Sequence, residues 1–363
     1  MGVFWFLLGL GALIAGAELL VRGASRLALL FGISPLVVGL TVVSFGTSAP
    51  ELAVSVQSAW SGQVDIAIGN VVGSNIFNVL VILGLSALVV PLVVHQQLIR
   101  QEVPIMIGVS LLLWGLAIDG GIGRGEGLLL AGLLLAYIVL LIRQSRRAGA
   151  EVTAEYAEAI GDGAPGWRNH WLTQLALIVA GLALLVLGAR WLVEAAVQFA
   201  RHLGVSELVI GLTIVAGGTS LPEVATSVLA ALRGERDIAV GNAVGSNIFN
   251  ILCVLGISAT VAPADLSVAA QVLAFDLPVM VGVALICLPI FFTDSQITRG
   301  NGALLLALYA AYTAYLVMHA TSHGALAAYA EIMGGIVLPV VAVVLVVLAW
   351  RHWRYGPARP GAS

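Results

Sequence analysis

The stretch GLTVVSFGTSAPELAVSVQSAW (39–60) decides the reading of this chain, because it recurs as GLTIVAGGTSLPEVATSVLAAL (211–232). Each copy is apolar enough to cross a bilayer. Each also carries a glutamate, a proline and a Thr-Ser pair near its centre. In hydrocarbon such groups are expensive, and they persist where they face protein or a wet cavity. A shift of 172 residues aligns 9–87 with 181–259 without a gap, and 31 of the 49 positions in 39–87 are identical. GNVVGSNIFNVLVILGLSA (69–87) pairs with GNAVGSNIFNILCVLGISA (241–259). Duplication kept for packing would explain the apolar matches. It would not explain why polar residues at membrane depth match best.

The rest of the chain fits a membrane setting. Of 363 residues, 60% are hydrophobic and 10% charged, whereas a soluble domain has roughly 25% charged residues. The sixteen basic residues are all arginine, and the net charge of −3 gives no footprint for nucleic acid. Cys253 and Cys287 lie alone in apolar runs and read as core fillers. The N-terminal run has no basic residue before Arg22, so it reads as a retained first helix.

A crossing helix needs about 20 apolar residues. Eleven candidates fall near 3–23, 36–60, 64–90, 103–119, 126–143, 172–200, 207–232, 238–262, 275–293, 301–319 and 332–350. The one long polar gap, 143–170, reads as a cytoplasmic linker containing a short surface helix, TAEYAEAI. Five spans separate the two copies, so the second meets the membrane from the opposite face. The expected fold is therefore an all-α polytopic membrane protein. It has two inverted-topology five-helix repeats, ten transmembrane helices in all, plus an extra C-terminal transmembrane helix. The expected divisions are 1–142, the linker 143–170, 171–320, and 321–363 with a basic tail. Twelve arginines, Arg26 and Arg233 among them, fall on the linker side, and Arg124 and Arg201 on the other. This predicts the N-terminus outside and the C-terminus cytoplasmic.

The polar residues of the first copy are Thr47, Ser48, Glu51, Ser74 and Asn78; those of the second are Thr219, Ser220, Glu223, Ser246 and Asn250. Thr47 and Glu51 are four apart, as are Ser74 and Asn78, so each pair shares a helical face. Pro50 and Pro222 donate no backbone hydrogen bond. That releases the carbonyls of Gly46 and Gly218, with those of Ser44 and Ala216 as neighbours. The donor set is all oxygen, with no His, Cys or Lys, which suits hard cations; calcium takes roughly six to eight oxygens. Two carboxylates match one divalent or two monovalent charges, so Ca²⁺ and Na⁺ can compete for one cage. No cofactor is expected; the ions are cargo.

GTSAPE with GNVVGSNIFN, and GTSLPE with GNAVGSNIFN, resemble the two α-repeats of the cation/Ca²⁺ exchanger superfamily, and most closely its prokaryotic sodium/calcium exchangers. The resemblance covers residues 1–320. It implies a secondary antiporter of the prokaryotic inner membrane exchanging Na⁺ for Ca²⁺ by alternating access. It also implies Ca²⁺ ligation by Glu51 and Glu223 with the Thr47 and Thr219 carbonyls. Ser48, Ser74, Ser220 and Ser246 would line flanking Na⁺ sites with the carbonyls of Ser44 and Ala216, and Asn78 and Asn250 would sit at the centre. Some relatives carry an acid where Asn250 stands, which argues here against K⁺ dependence. The eleventh span lies beyond the usual ten.

Ca²⁺/H⁺ exchange through the same glutamates is the alternative. The GN segments lack the acid often found in relatives that do this. A passive channel would show a continuous polar stripe, whereas the polar residues here cluster at one depth. An enzyme is not expected: no Asp pair, Ser/His dyad or His metal motif lies within the spans. Glu18 with Arg22, and Arg190 with Glu194, read as local i,i+4 pairs. Asp65 and Asp237 read as helix N-terminal residues, and Asp276 as interfacial. The six histidines read as loop or helix-end residues.

Overall fold

The computed structural model describes residues 2–160, 170–203, 210, 214, 216–293 and 295–355. Among these, nine helices are long and apolar enough to cross a membrane, or ten when one bent pair counts as a span. The chain is a helical integral membrane protein. In order, the elements are α1 (Gly2–Phe31), the bent pair α2 (Pro35–Thr47) and α3 (Ala49–Trp60), α4 (Val64–Val89), β1 (Leu92–Val93), α5 (Leu98–Asp119), β2 (Gly121–Ile122) and α6 (Arg124–Ile160). Then come α7 (Trp171–His202), α8 (Ala216–Gly218), α9 (Leu221–Leu232), α10 (Arg236–Val261), β3 (Leu266–Ser267), α11 (Val272–Phe292), β4 (Gln296–Ile297), α12 (Arg299–Ala320) and α13 (Leu326–Leu348).

One difference from the sequence reading has a local cause. The expected surface helix TAEYAEAI is not separate: α6 runs without a break to Ile160, because nothing between Arg143 and Ile160 is a proline. Residues 161–169 of the expected linker lie outside the described residues. The span expected at 207–232 is described mainly from Ala216 onward, as α8 and α9.

Local chemistry sets the broken helix. Ser34 caps α2, its hydroxyl accepting the Val37 N–H at 3.3 Å, and Pro35 occupies the first turn. Pro50 opens α3, and the axis bends by 45° between α2 and α3. Gly62 (φ +76) and Gly234 (φ +82), 172 residues apart, turn the chain in the left-handed region after α3 and α9.

The two copies interlock instead of packing side by side. β1 pairs antiparallel with β4, and β2 with β3. α1 and α7 meet on glycines: a Cβ on Gly16 would stand 2.7 Å from the Gly181 carbonyl, and one on Gly9 2.8 Å from that of Gly188. Gly9 aligns with Gly181 and Gly16 with Gly188, so the contacts exchange under the repeat. The same exchange joins Gly84 of α4 to Gly302 of α12, and Gly256 of α10 to Gly127 of α6. Small residues let helices approach closely where lipid offers no hydrophobic drive. α4 and α10 are the most buried spans, and α12 and α13 the least.

Candidate functional site

The site forms where the break between α2 and α3 meets the break between α8 and α9, against α4 and α10. Glu51 and Glu223 sit in the first turns of α3 and α9, both buried. Each is held by a serine of the other copy. Ser220 Oγ donates to Glu51 Oε1 at 3.2 Å, and Ser48 Oγ to Glu223 Oε1 at 3.3 Å. These two bonds are one interaction related by the 172-residue shift. Ser220 Oγ also lies 3.3 Å from Ser74 Oγ. Ser246, the aligned partner of Ser74, is buried with its hydroxyl unpaired.

The threonine hydroxyls are engaged elsewhere. Thr47 Oγ1 donates to Asn242 Oδ1 at 3.1 Å, and Thr219 Oγ1 to Asn70 Oδ1 at 3.5 Å. The sequence reading did not single out these two asparagines, yet they tie each break together. Asn70 Nδ2 donates to the Glu51 carbonyl (3.2 Å) and to Ser55 Oγ (2.9 Å). Asn242 Nδ2 donates to the Glu223 carbonyl (3.4 Å) and to Ser227 Oγ (2.9 Å). The signal that could have found them is the identical GN dipeptide at 69–70 and 241–242.

Asn78 and Asn250 each begin a π-helical turn, at Asn78–Leu83 and Asn250–Leu255. Such turns recur at functional positions because the wider ring re-aims one side chain. Ser44 differs from the expected free carbonyl: its carbonyl accepts the Ser48 N–H at 3.0 Å. Its hydroxyl donates to the carbonyls of Gly39 (2.7 Å) and Asn242 (3.2 Å), fastening α2 to α10. A serine here is thus a tether between the copies. Ala216 opens α8, and Gly218 lies so near Val193 that an added Cβ would stand 2.5 Å from its Cγ2. On the other copy, a Cβ at Gly46 would stand 2.7 Å from Leu182 Cδ1. α7 therefore rests directly on both breaks.

Five buried side-chain atoms of the expected set have no protein partner: Glu51 Oε2, Glu223 Oε2, Asn78 Oδ1, Asn250 Oδ1 and Ser246 Oγ. Four are oxygens without a proton to give, and buried polar atoms are ordinarily paired. Ion pairs among the described residues include Arg22–Glu18, Arg190–Glu194 and Arg233–Glu18, and none of these reaches a cage glutamate. Glu18 thus makes a second, inter-helix pair beyond the local one expected. No group of three or more His, Cys, Asp and Glu is placed to hold a metal ion among the described residues. A cage of two carboxylates, hydroxyls and amide oxygens suits hard cations.

Outside the cage, a second related pair of acids was underread. Glu102 accepts Tyr137 Oη at 2.8 Å and the Nε2 atoms of Gln97 and Gln101 at 3.0 Å. Asp276, expected at the interface, is nearly buried and accepts Tyr312 Oη at 2.8 Å. These bonds brace α5 to α6 and α11 to α12. Cys253 and Cys287 are buried and free. His95, His170 and His323 accept backbone N–H groups in turns and at a helix start.

The sequence profile described as "Sodium/calcium exchanger protein" matches residues 1–143 and 173–318. The chain belongs to the sodium/calcium exchanger family. It is 40% identical over 317 residues to the inner membrane protein YrbG of Escherichia coli, covering 85% of this chain and 95% of that protein. It is 34% identical over 340 residues to the sodium/calcium exchanger MaX1 of Methanosarcina acetivorans, covering 85% and 97%. A solved structure of the sodium-calcium exchanger NCX_Mj superposes with a TM-score of 0.73 at 32% identity, covering 86% of this chain and 97% of that one. Like the rest of this exchanger family, the chain is a membrane ion-transport protein.

Proposed function

We propose that this exchanger moves Ca²⁺ against Na⁺ by alternating access, with Glu51, Glu223, Thr47, Thr219, Ser48, Ser220, Ser74, Ser246, Asn78, Asn250, Ser44 and Ala216 forming the ion path. One observation carries the reading: two buried glutamates that none of these ion pairs reaches, each with one unpaired oxygen, beside two unpaired asparagine oxygens. Two uncompensated carboxylates at membrane depth are unstable unless neutralised. One Ca²⁺ or two Na⁺ balance the charge. That equality makes the two ions alternatives at one cage, which is what exchange requires.

The remaining assignments follow the repeat. The copies are inverted repeats of five spans, 1–142 and 171–320, joined at 143–170, with α13 an extra membrane helix that takes no part in transport. The N-terminus lies outside and the C-terminus in the cytoplasm of a prokaryotic inner membrane; the inner-membrane relative YrbG supports that location. α1 and α7, meeting on Gly9, Gly16, Gly181 and Gly188, slide as a pair over the two breaks and open the cage to each side in turn. Asn70 and Asn242 donate to carbonyls and carry no exchangeable charge, which favours Na⁺ over H⁺ as the coupling ion.

The test is radiolabelled Ca²⁺ uptake into proteoliposomes loaded with Na⁺ and diluted into Na⁺-free buffer. A K⁺-loaded set, an imposed pH gradient and Glu51→Gln complete it. Uptake that requires internal Na⁺ and is lost in Glu51→Gln is the expected result. Uptake driven by the pH gradient alone would replace this reading with Ca²⁺/H⁺ exchange. Absence of coupled Ca²⁺ flux would remove the substrate assignment.

A further inference from the structure

We infer that Met106 and Met280 are positioning residues for the ion cage: through Asn247 and Asn75 their sulfurs turn the carbonyl oxygens of Asn78 and Asn250 toward the cations. The inference rests on the cage being a cation site, as proposed above. Two relays cross the interface between the copies. Asn78 Nδ2 donates to Asn247 Oδ1 at 3.1 Å, and Asn247 Nδ2 points to Met106 Sδ at 3.3 Å. Asn250 Nδ2 donates to Asn75 Oδ1 at 3.1 Å, and Asn75 Nδ2 points to Met280 Sδ at 3.7 Å. All four asparagines and both methionines are buried.

An amide is nearly symmetric in shape, so its direction comes from its partners. A thioether sulfur has no proton and only accepts. Each sulfur therefore demands the NH₂ of its asparagine. The oxygen of that asparagine then faces the next amide and demands its NH₂ in turn. The last oxygens, Asn78 Oδ1 and Asn250 Oδ1, are left pointing where no protein donor meets them. Reversing one relay would put an NH₂ group against the bound cation. Each donates its NH₂ back into its relay, so Asn78 and Asn250 present only an acceptor oxygen to the cage.

The relays are unequal. Asn75 Nδ2 also donates to the Asn247 backbone carbonyl at 3.2 Å, a second acceptor that cannot reverse. Among the described residues, Asn247 Nδ2 has the sulfur of Met106 as its one acceptor. Met106 therefore matters more than Met280, although Met280 lies in the matching span.

Met106→Leu and Met280→Leu test this, since leucine fills the volume of methionine with little loss of packing and removes the acceptor. Proteoliposome exchange gives KM and kcat for Ca²⁺ and Na⁺. The cation-dependent rise in Tm is scored across Na⁺, Li⁺, K⁺, Ca²⁺ and Mg²⁺. Met106→Leu is expected to raise KM about two- to tenfold, the reach of one net hydrogen bond, with kcat and ion-free Tm held. It should shrink the cation-dependent Tm rise in parallel. Met280→Leu is expected to move KM less than Met106→Leu. Protein grown with selenomethionine, whose selenium still accepts, should keep the native KM. An unchanged KM in Met106→Leu overturns the inference, as does an equal or larger effect in Met280→Leu. A fall in kcat and ion-free Tm without a change in KM also overturns it, by assigning Met106 to packing. A native protein that binds cations but shows no Na⁺-driven Ca²⁺ uptake would sink the exchange reading, while the Tm series still scores the relay.

Discussion

At the scale of single residues, the cage trades stability for charge. Glu51 is buried, keeps one oxygen on Ser220 and leaves the other without a partner. A buried charge with no counter-charge is costly, and an isosteric neutral group relieves it. Glu51→Gln is therefore expected to raise Tm in cation-free buffer and to abolish the further rise on adding Ca²⁺. A thermal unfolding series with and without Ca²⁺ checks both, and a lower cation-free Tm would show the glutamate to be structurally satisfied. Outside the spans, Glu235 follows simpler rules. Burial holds its carboxyl above the ordinary range, and the charge of Asp237 adds to the shift. A raised folded pKa contributes stability that is full below the unfolded value and is lost as pH rises through the folded one. Glu235→Gln should flatten the gain in Tm on mild acidification, read by the same unfolding assay across pH.

At the scale of elements, the packing of α1 on α7 depends on the absence of side chains at Gly9, Gly16, Gly181 and Gly188. A Cβ at Gly16 would lie 2.7 Å from one backbone oxygen and 2.8 Å from a backbone nitrogen, neither of which can turn aside. Gly11, on the same helix, has nothing within 4 Å of its would-be Cβ. Gly16→Ala should lower stability by about 1–3 kcal/mol through overpacking. Gly11→Ala should be neutral or raise it by roughly 0.5–1 kcal/mol, since glycine weakens a helix interior. Equal effects on Tm would refute close helix approach as the reason for the glycines. The elements also mark how far the sequence could be read. The broken helix was legible because proline and glutamate in an apolar run are costly unless they bend the helix around a polar site. The repeat made the cage legible, since polar matches at one depth must serve one place. The amide partners were not: Asn70 and Asn247 act through which neighbour they face, and that is decided by span-to-span packing. Glu102 was missed because its partner Tyr137 comes from another helix, 35 residues on.

At the scale of the molecule, the two copies are interleaved. β1 of the first copy pairs with β4 of the second, and β2 with β3. Gly84 packs on Gly302, and Gly127 on Gly256, so an element of each copy closes against the other. The cage obeys the same rule: each glutamate takes its hydrogen bond from the opposite serine. Neither half alone can satisfy its strand edges, fill its glycine grooves or complete the cage. The shared surface is what holds the halves together, and residues 161–169 join them in sequence. Cutting the gene there and expressing 1–160 with 170–363 should give a complex that survives purification and recovers Na⁺-dependent Ca²⁺ uptake. Either piece expressed alone should be degraded or inactive. Uptake by one piece alone would mean that a single copy, paired with itself, builds a working cage. Failure of the co-expressed pieces to associate would mean that the connection guides assembly, and that the interlocking seen here forms only when one copy is held beside the other.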